Sequence, residues 1–205
     1  PIEKKPLFHF YPSSKTLTLT SVGSNLPTET SEIFRDKEQE KVFGSNYTPE
    51  QIIKQAEEKK VNSITYNSAE PFISIEFNYK TAKLAHRSSI KNIFLTNAFV
   101  TEDAVKKAMK YLDAALVTFK ASADPVFYKN YMDIADMSPI FDAIKLMKKH
   151  RVHIEIADVI VPQVGDNLEN CRKLVQWIST ELGSEVPFHV MQFYPDNRLS
   201  ELPPT

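Results

Sequence analysis

Apolar and polar positions alternate through Lys15–Val22, where Leu17 and Leu19 sit between threonines, and this period of two predicts a strand. Five further short apolar runs read as strands: NSITYN (62–67), NIFLTN (92–97), ALVTFK (115–120), VHIEIADVIV (152–161), long enough to be buried along most of its length, and VPFHVMQF (186–193). Between them the apolar spacing changes to that of helices. Thr48-Pro49-Glu50-Gln51 is a helix start: Thr48 can cap, Pro49 suits the first helical position, and Gln51 completes a capping box. That helix turns Ile52, Ile53 and Ala56 inward and ends in the charged run Glu57–Lys60, a solvated face. A second helix is predicted from Ile73 to His86. A third follows Thr101-Glu102-Asp103 with Val105, Ala108 and Leu112 on one face. A fourth starts at Ser138-Pro139 and carries Ile140, Phe141, Ile144 and Met147. A fifth, with Asp166 and Glu169 bracketing its start, carries the stripe Leu168, Cys171, Val175, Ile178 and Leu182. Residues 32–47 are polar and read as a loop or short helix.

Six strands alternating with five helices imply an α/β fold whose strands run parallel through right-handed crossovers. A doubly wound sheet and a complete or partial β/α barrel share this alternation. In both, ligands sit at the carboxyl ends of the strands. Those ends carry Ser24–Ser31, Asn67–Glu70, Thr96–Asn97, Lys120, Val161–Gln163 and Gln192–Tyr194. Four glycines, with no GxGxxG or GxxxxGK[ST], argue against a phosphate-cradling loop.

At 205 residues with 42% hydrophobic content, one domain over 1–205 is expected, with a sizeable core. The balance of 25 basic against 26 acidic residues gives no basic surplus for nucleic acid. No apolar run reaches the roughly 18 residues that span a bilayer, so no membrane partner is expected. A single cysteine excludes an internal disulfide framework and suits a reducing compartment, so the expected location is cytoplasmic. The first residues show no signal-peptide pattern and no initiator Met, which fits a trimmed or truncated chain. Cys171 falls on an apolar helical stripe and is expected to be a buried core thiol. His150 and His153 straddle a helix end and a strand start, which is poor metal geometry; they read as a surface pair, and no metal site is expected. His189 reads as a strand histidine with a satisfied ring.

The loop after the first strand, TSVGSNLPTETSEIF (20–34), places Ser24, Thr28 and Ser31 in an X-x3-X-x2-X spacing. Three cysteines so spaced can hold three irons of a [4Fe–4S] cluster, but alcohols are much harder donors than thiolates. The segments PIEKKPLFHFYP, TPEQI, AEPF…TAKLAH, KNIFLTN, VPFHV…FYPD and LPPT carry a family. In order, and over essentially the whole chain, they resemble the radical S-adenosylmethionine component of the AmmeMemoRadiSam system. That group is related to glycyl-radical and pyruvate formate-lyase activating enzymes.

The resemblance implies a parallel partial TIM-type (βα)6 barrel, and it implies that members carry further sequence ahead of residue 1. It aligns Ser24, Thr28 and Ser31 with the cluster cysteines, while Gly23 and Asn25 keep their usual context. It assigns Glu70, Asn97 and Lys120 to a pocket for S-adenosylmethionine, with Glu70-Pro71 near the amino end of that molecule. It names Memo-type or Ammecr-type proteins as partners. Several neighbouring positions depart from the family: Ser68-Ala69 replace Tyr-Asn, Ala98 replaces Gly, Thr118 replaces Asp and Gln192 replaces Arg. The expectation is a homologue without catalytic residues for the radical reaction, without an iron–sulfur cluster, and with weak S-adenosylmethionine binding at most. Two alternatives stay open: a non-radical enzyme using Glu70, Lys120 or His189 for acid–base chemistry, and a cysteine-substituted form of an active radical enzyme.

Overall fold

The computed structural model describes residues 1–4, 6–21, 23–26, 44–67, 70–195 and 201–205. Thr28, Ser31, Ser68, Ala69 and most of the polar stretch 32–47 lie outside the described residues.

The six predicted strands form one parallel sheet: β1 (Thr16–Thr20), β2 (Ser63–Asn67), β3 (Lys91–Thr96), β4 (Ala114–Lys120), β5 (His153–Ile160) and β6 (Phe188–Gln192). Their spatial order is the chain order, β1-β2-β3-β4-β5-β6. This settles what the alternation left open. A doubly wound sheet needs a reversal of strand order. Crossovers of one hand that always step in one direction put every helix on the same face of the sheet. The other face becomes the inside of a partial barrel, open between β1 and β6.

The helices are α1 (Pro49–Glu58), α2 (Ile75–Arg87), α3 (Glu102–Ala108), α4 (Pro125–Tyr131), α5 (Ser138–Lys149) and α6 (Leu168–Trp177), the last continuing into a π turn, Ile178–Leu182. Thr48 caps α1 with the reciprocal Gln51 bond, and Thr101 caps α3 through the Ala104 amide. The outward strand residues Ile64, Tyr66, Phe94, Val117, Phe119 and Ile156 pack under these helices in the main core. A second, smaller core fills the inside of the barrel. There Ile93, Ala114, Leu116 and Ala157 meet Ile2 and Leu7 of the N-terminal segment, which crosses the barrel as a strap.

Three expectations are corrected. Ile178 and Leu182 are buried as expected, but within α6 the buried residue is Leu174: Leu168 and Val175 are exposed and Cys171 is only half-buried. The helix is rotated because Asn167 caps it, accepting from the amides of Glu169 and Asn170, and because the Asn170 side chain donates to Asp124. The β4–β5 crossover carries an additional short helix, α4, capped by Asp124 through the amides of Val126 and Phe127. His153 is not a surface partner of His150; it lies on the inner face of β5 beside Glu155.

Between β4 and α4 the chain makes a left-handed turn, with φ of 52°, 52° and 57° at Ala121, Ser122 and Ala123. Each such non-glycine residue costs about 1–2 kcal/mol. Asp158, fully buried on β5, holds the turn by accepting from the Ser122 amide (3.0 Å) and hydroxyl (2.8 Å). Burial raises the Asp158 carboxyl above its usual range, against the opposing pull of those Ser122 bonds. Gly165 seals the other side: a Cβ there would lie 2.3 Å from Ala121 Cβ and 2.9 Å from its Cα. Gly165→Ala is therefore expected to cost about 2 kcal/mol, the range of overpacked cores. A urea midpoint equal to that of the unchanged protein would show that the turn yields freely.

Candidate functional site

Parallel strands deliver their carboxyl ends to one rim, and the side chains there come from the loops that follow them. Glu70 follows β2. Its carboxylate is buried and accepts from the Thr96 hydroxyl (2.7 Å), the Asn97 amide (2.8 Å) and the Phe72 amide (3.4 Å). Burial drives its pKa up from 4.5 to about 7, and those three hydrogen bonds restrain the rise. Thr96 also accepts from the Ala98 amide, helping to hold Ala98 at φ 58°.

Asn97 reaches the other way. Its Nδ2 donates to Asn25 Oδ1 (2.9 Å), and its Oδ1 accepts from the Phe99 amide (2.8 Å). The Asn25 side chain in turn donates to the Phe99 carbonyl. The first loop, β2 and β3 are thus joined at the rim through Asn25, Asn97 and Glu70. Ser24 points back into its own loop, where its hydroxyl accepts from the Leu26 amide (3.2 Å). That is an ordinary task for serine in a turn.

Lys120 closes β4 on the inner-facing register shared with Ala114 and Leu116, and its amide donates to the Tyr128 hydroxyl. Gln192, at the end of β6, donates to the Thr205 carbonyl, and Thr205 Oγ1 donates to the Ile160 carbonyl, so the last described residues return to the ends of β5 and β6. Of the residues that the sequence assigned to one pocket, Glu70 and Asn97 are in direct contact. His189, offered as an acid–base group for the same mouth, is at the opposite end: it is the second residue of β6 and contacts Glu155 near the start of β5.

The cluster that the loop spacing suggests does not fit these donors. Ser24 offers a hydroxyl already engaged with Leu26, Thr28 and Ser31 are also alcohols, and Cys171 is the only thiol in the chain. One thiolate cannot hold the irons of such a cluster. Both oxygens of Glu70 are engaged, Oε1 with Thr96 and Phe72 and Oε2 with the Asn97 amide.

Sequence reasoning missed the other polar centre of the molecule, at the amino ends of β5 and β6. Glu155 is fully buried there among His9, His153 and His189. Burial would raise its pKa, but bonds from His153, the His9 amide, His189 and the Phe8 amide outweigh it and hold the carboxyl at about 2. A signal was present: a glutamate inside the apolar run VHIEIADVIV must be paired if that strand is buried. Among the described residues, no helix is long and apolar enough to cross a membrane.

Comparison with known proteins agrees with the fold. The chain is 33% identical over its whole length to an uncharacterized protein of Methanocaldococcus jannaschii, spanning 61% of it. It is 23% identical, over 63% of its own length and 40% of the other, to the (2S)-3-sulfopropanediol dehydratase activating enzyme of Klebsiella oxytoca. Among solved structures, SuiB of Streptococcus suis bound to S-adenosylmethionine superposes on 92% of the chain and 42% of SuiB, with a TM-score of 0.68 at 14% identity. Residues 30–178 match the Radical SAM superfamily, and the chain belongs to that superfamily.

Proposed function

We propose that this chain is a radical-SAM-type barrel that carries no iron–sulfur cluster and does not cleave S-adenosylmethionine, its scaffold being kept for binding a partner. One observation carries the reading: the loop that should supply three thiolates supplies hydroxyls, in a chain with a single cysteine. In this superfamily the cofactor, not the protein, provides the electron that starts the reaction. The rim agrees with this reading, because Glu70 and Asn97 spend their polar atoms on joining the loops. The acid–base alternative is weaker, since Glu70 is enclosed and His189 lies at the far end of the barrel. Proteins of the Memo and Ammecr type, which the sequence resemblance names, are the first partners to try.

Anaerobic reconstitution with iron and sulfide tests the proposal directly. Metal analysis and visible absorbance are expected to show no stoichiometric cluster, and calorimetry no tight complex with S-adenosylmethionine. One full cluster per chain at this loop would defeat it. So would formation of 5′-deoxyadenosine under dithionite.

A further inference from the structure

Three of the five histidines, at positions 9, 153 and 189, converge on one buried carboxylate. They come from three separate parts of the chain: the N-terminal strap, the start of β5 and the start of β6. His189 Nε2 lies 2.7 Å from Glu155 Oε2, and His9 Nδ1 lies 3.3 Å from the same oxygen. His153 Nε2 is 3.0 Å from Oε1. The ligating atoms of His9, Glu155 and His189 all fall within 4.8 Å of one another. Glu155 is fully buried, and its ion-pair partners among the described residues are imidazoles, with no lysine or arginine. A buried carboxylate needs a compensating positive charge.

From this geometry we infer that His9, Glu155 and His189 form a binding site for a divalent transition-metal ion of the zinc type, at the closed end of the barrel and remote from the rim. Two imidazoles, which are borderline donors, and one carboxylate, which is a hard one, make a mixed set that zinc-type ions accept. Ligands on one tetrahedral zinc, each about 2.0–2.1 Å from it, stand about 3.3 Å apart. The His9–Glu155 separation already has that value, and the His189–Glu155 pair must open by roughly half an ångström. The His9 side chain is 59% exposed, so the ion can enter from solvent and keep a water on that side. His153, on the other carboxylate oxygen, holds the orientation of Glu155 as outer partners of metal ligands do. The site rests on nothing at the rim and stands whether or not the cluster proposal does.

The experiment is zinc titration of the chelator-treated protein against a competing chromophoric chelator, repeated with cobalt(II) to read the ligands by visible absorbance. The expected result is about one ion per chain with tetrahedral or five-coordinate character. No sulfur-to-metal charge-transfer band is expected, which separates this site from Cys171. His9→Gln and His189→Gln are each expected to weaken binding at least tenfold, while the exposed His150→Gln changes nothing. Should His189→Gln fail to fold, His9→Gln decides, because its ring is mostly in solvent. Absence of zinc binding, or binding that survives both substitutions in folded protein, overturns the inference.

Discussion

Glu155→Ala, measured in chelator-treated buffer, should lower unfolding stability by about 3–5 kcal/mol, the range for removing one member of a buried charged network. The side chain accepts from the Phe8 amide (3.0 Å) and the His9 amide (2.8 Å) and contacts the rings of His153 and His189. Alanine leaves these groups facing a cavity. The pKa leads to a similar size. A fall from 4.5 to about 2 favours the folded, ionised form by about 3 kcal/mol at 1.36 kcal/mol per unit. For a depressed carboxyl that contribution is fully present above pH 4.5 and is lost as pH falls through 2. The loss should also be directional. Ile2 and Leu7 are buried against the inside of the barrel, and the amides of Phe8 and His9 are what tie the strap to β5. Tryptic cleavage within residues 1–15 should accelerate before global unfolding does. An unchanged urea midpoint with an equally protected strap would mean that Ile2 and Leu7 alone dock the segment.

The alternation of periods made the six strands and their neighbouring helices legible, because each strand had to bury its outward residues under a helix. The caps at Thr48 and Thr101 were legible for a local reason, since each involves atoms within three residues. What the alternation could not reveal was strand order, a long-range property, although the family resemblance pointed to the barrel. The rotation of α6 was missed because Leu168, Cys171 and Val175 satisfy a helical stripe as well as Cys171, Leu174 and Ile178 do. What separates them is the cap at Asn167, where the sequence offered Asp166, together with the Asn170–Asp124 bond across 46 residues. α4 had a readable start, Asp124 followed by Pro125, but its seven residues are too few for a periodic signal.

The candidate site was legible in part for the same reason. Glu70 and Asn97 were placed at strand ends by counting along the sequence, and the structure joins them. Their bonding could not be counted: Asn97 meets Asn25 across 72 residues and Glu70 across 27. The histidine–glutamate centre is the extreme case, with His9 and Glu155 separated by 146 residues. No local pattern near His9 marks it as the partner of a β5 glutamate.

Glu70 supplies the last expectation. Its pKa is about 7 in the folded protein against 4.5 when unperturbed, so folding makes this acid hold its proton more tightly. The sign follows. For a raised carboxyl, stability is greatest below pH 4.5, where both states are protonated, and falls as pH rises toward 7, where the unfolded chain alone has released its proton. Over that window the shift amounts to about 3 kcal/mol at 1.36 kcal/mol per unit. The rim can accommodate the neutral acid. Oε2 still accepts from the Asn97 amide, and a proton on Oε1 can be donated to the Thr96 oxygen 2.7 Å away, since a hydroxyl either gives or accepts. Glutamine can make the same two bonds without titrating, giving up only the long contact from the Phe72 amide (3.4 Å). Glu70→Gln should therefore match the unchanged protein near pH 5 and exceed its stability by about 2–3 kcal/mol near pH 8. Urea midpoints of the two proteins across that range provide the measurement, and taking their difference cancels every other titrating group. Parallel curves would mean that Glu70 is ionised throughout, and that its carboxylate is reached by water or by a cation. A rim glutamate open to cations would suit the amino group of a ligand, and the reading of Glu70 as a structural pin would then give way to one of Glu70 as part of a working pocket.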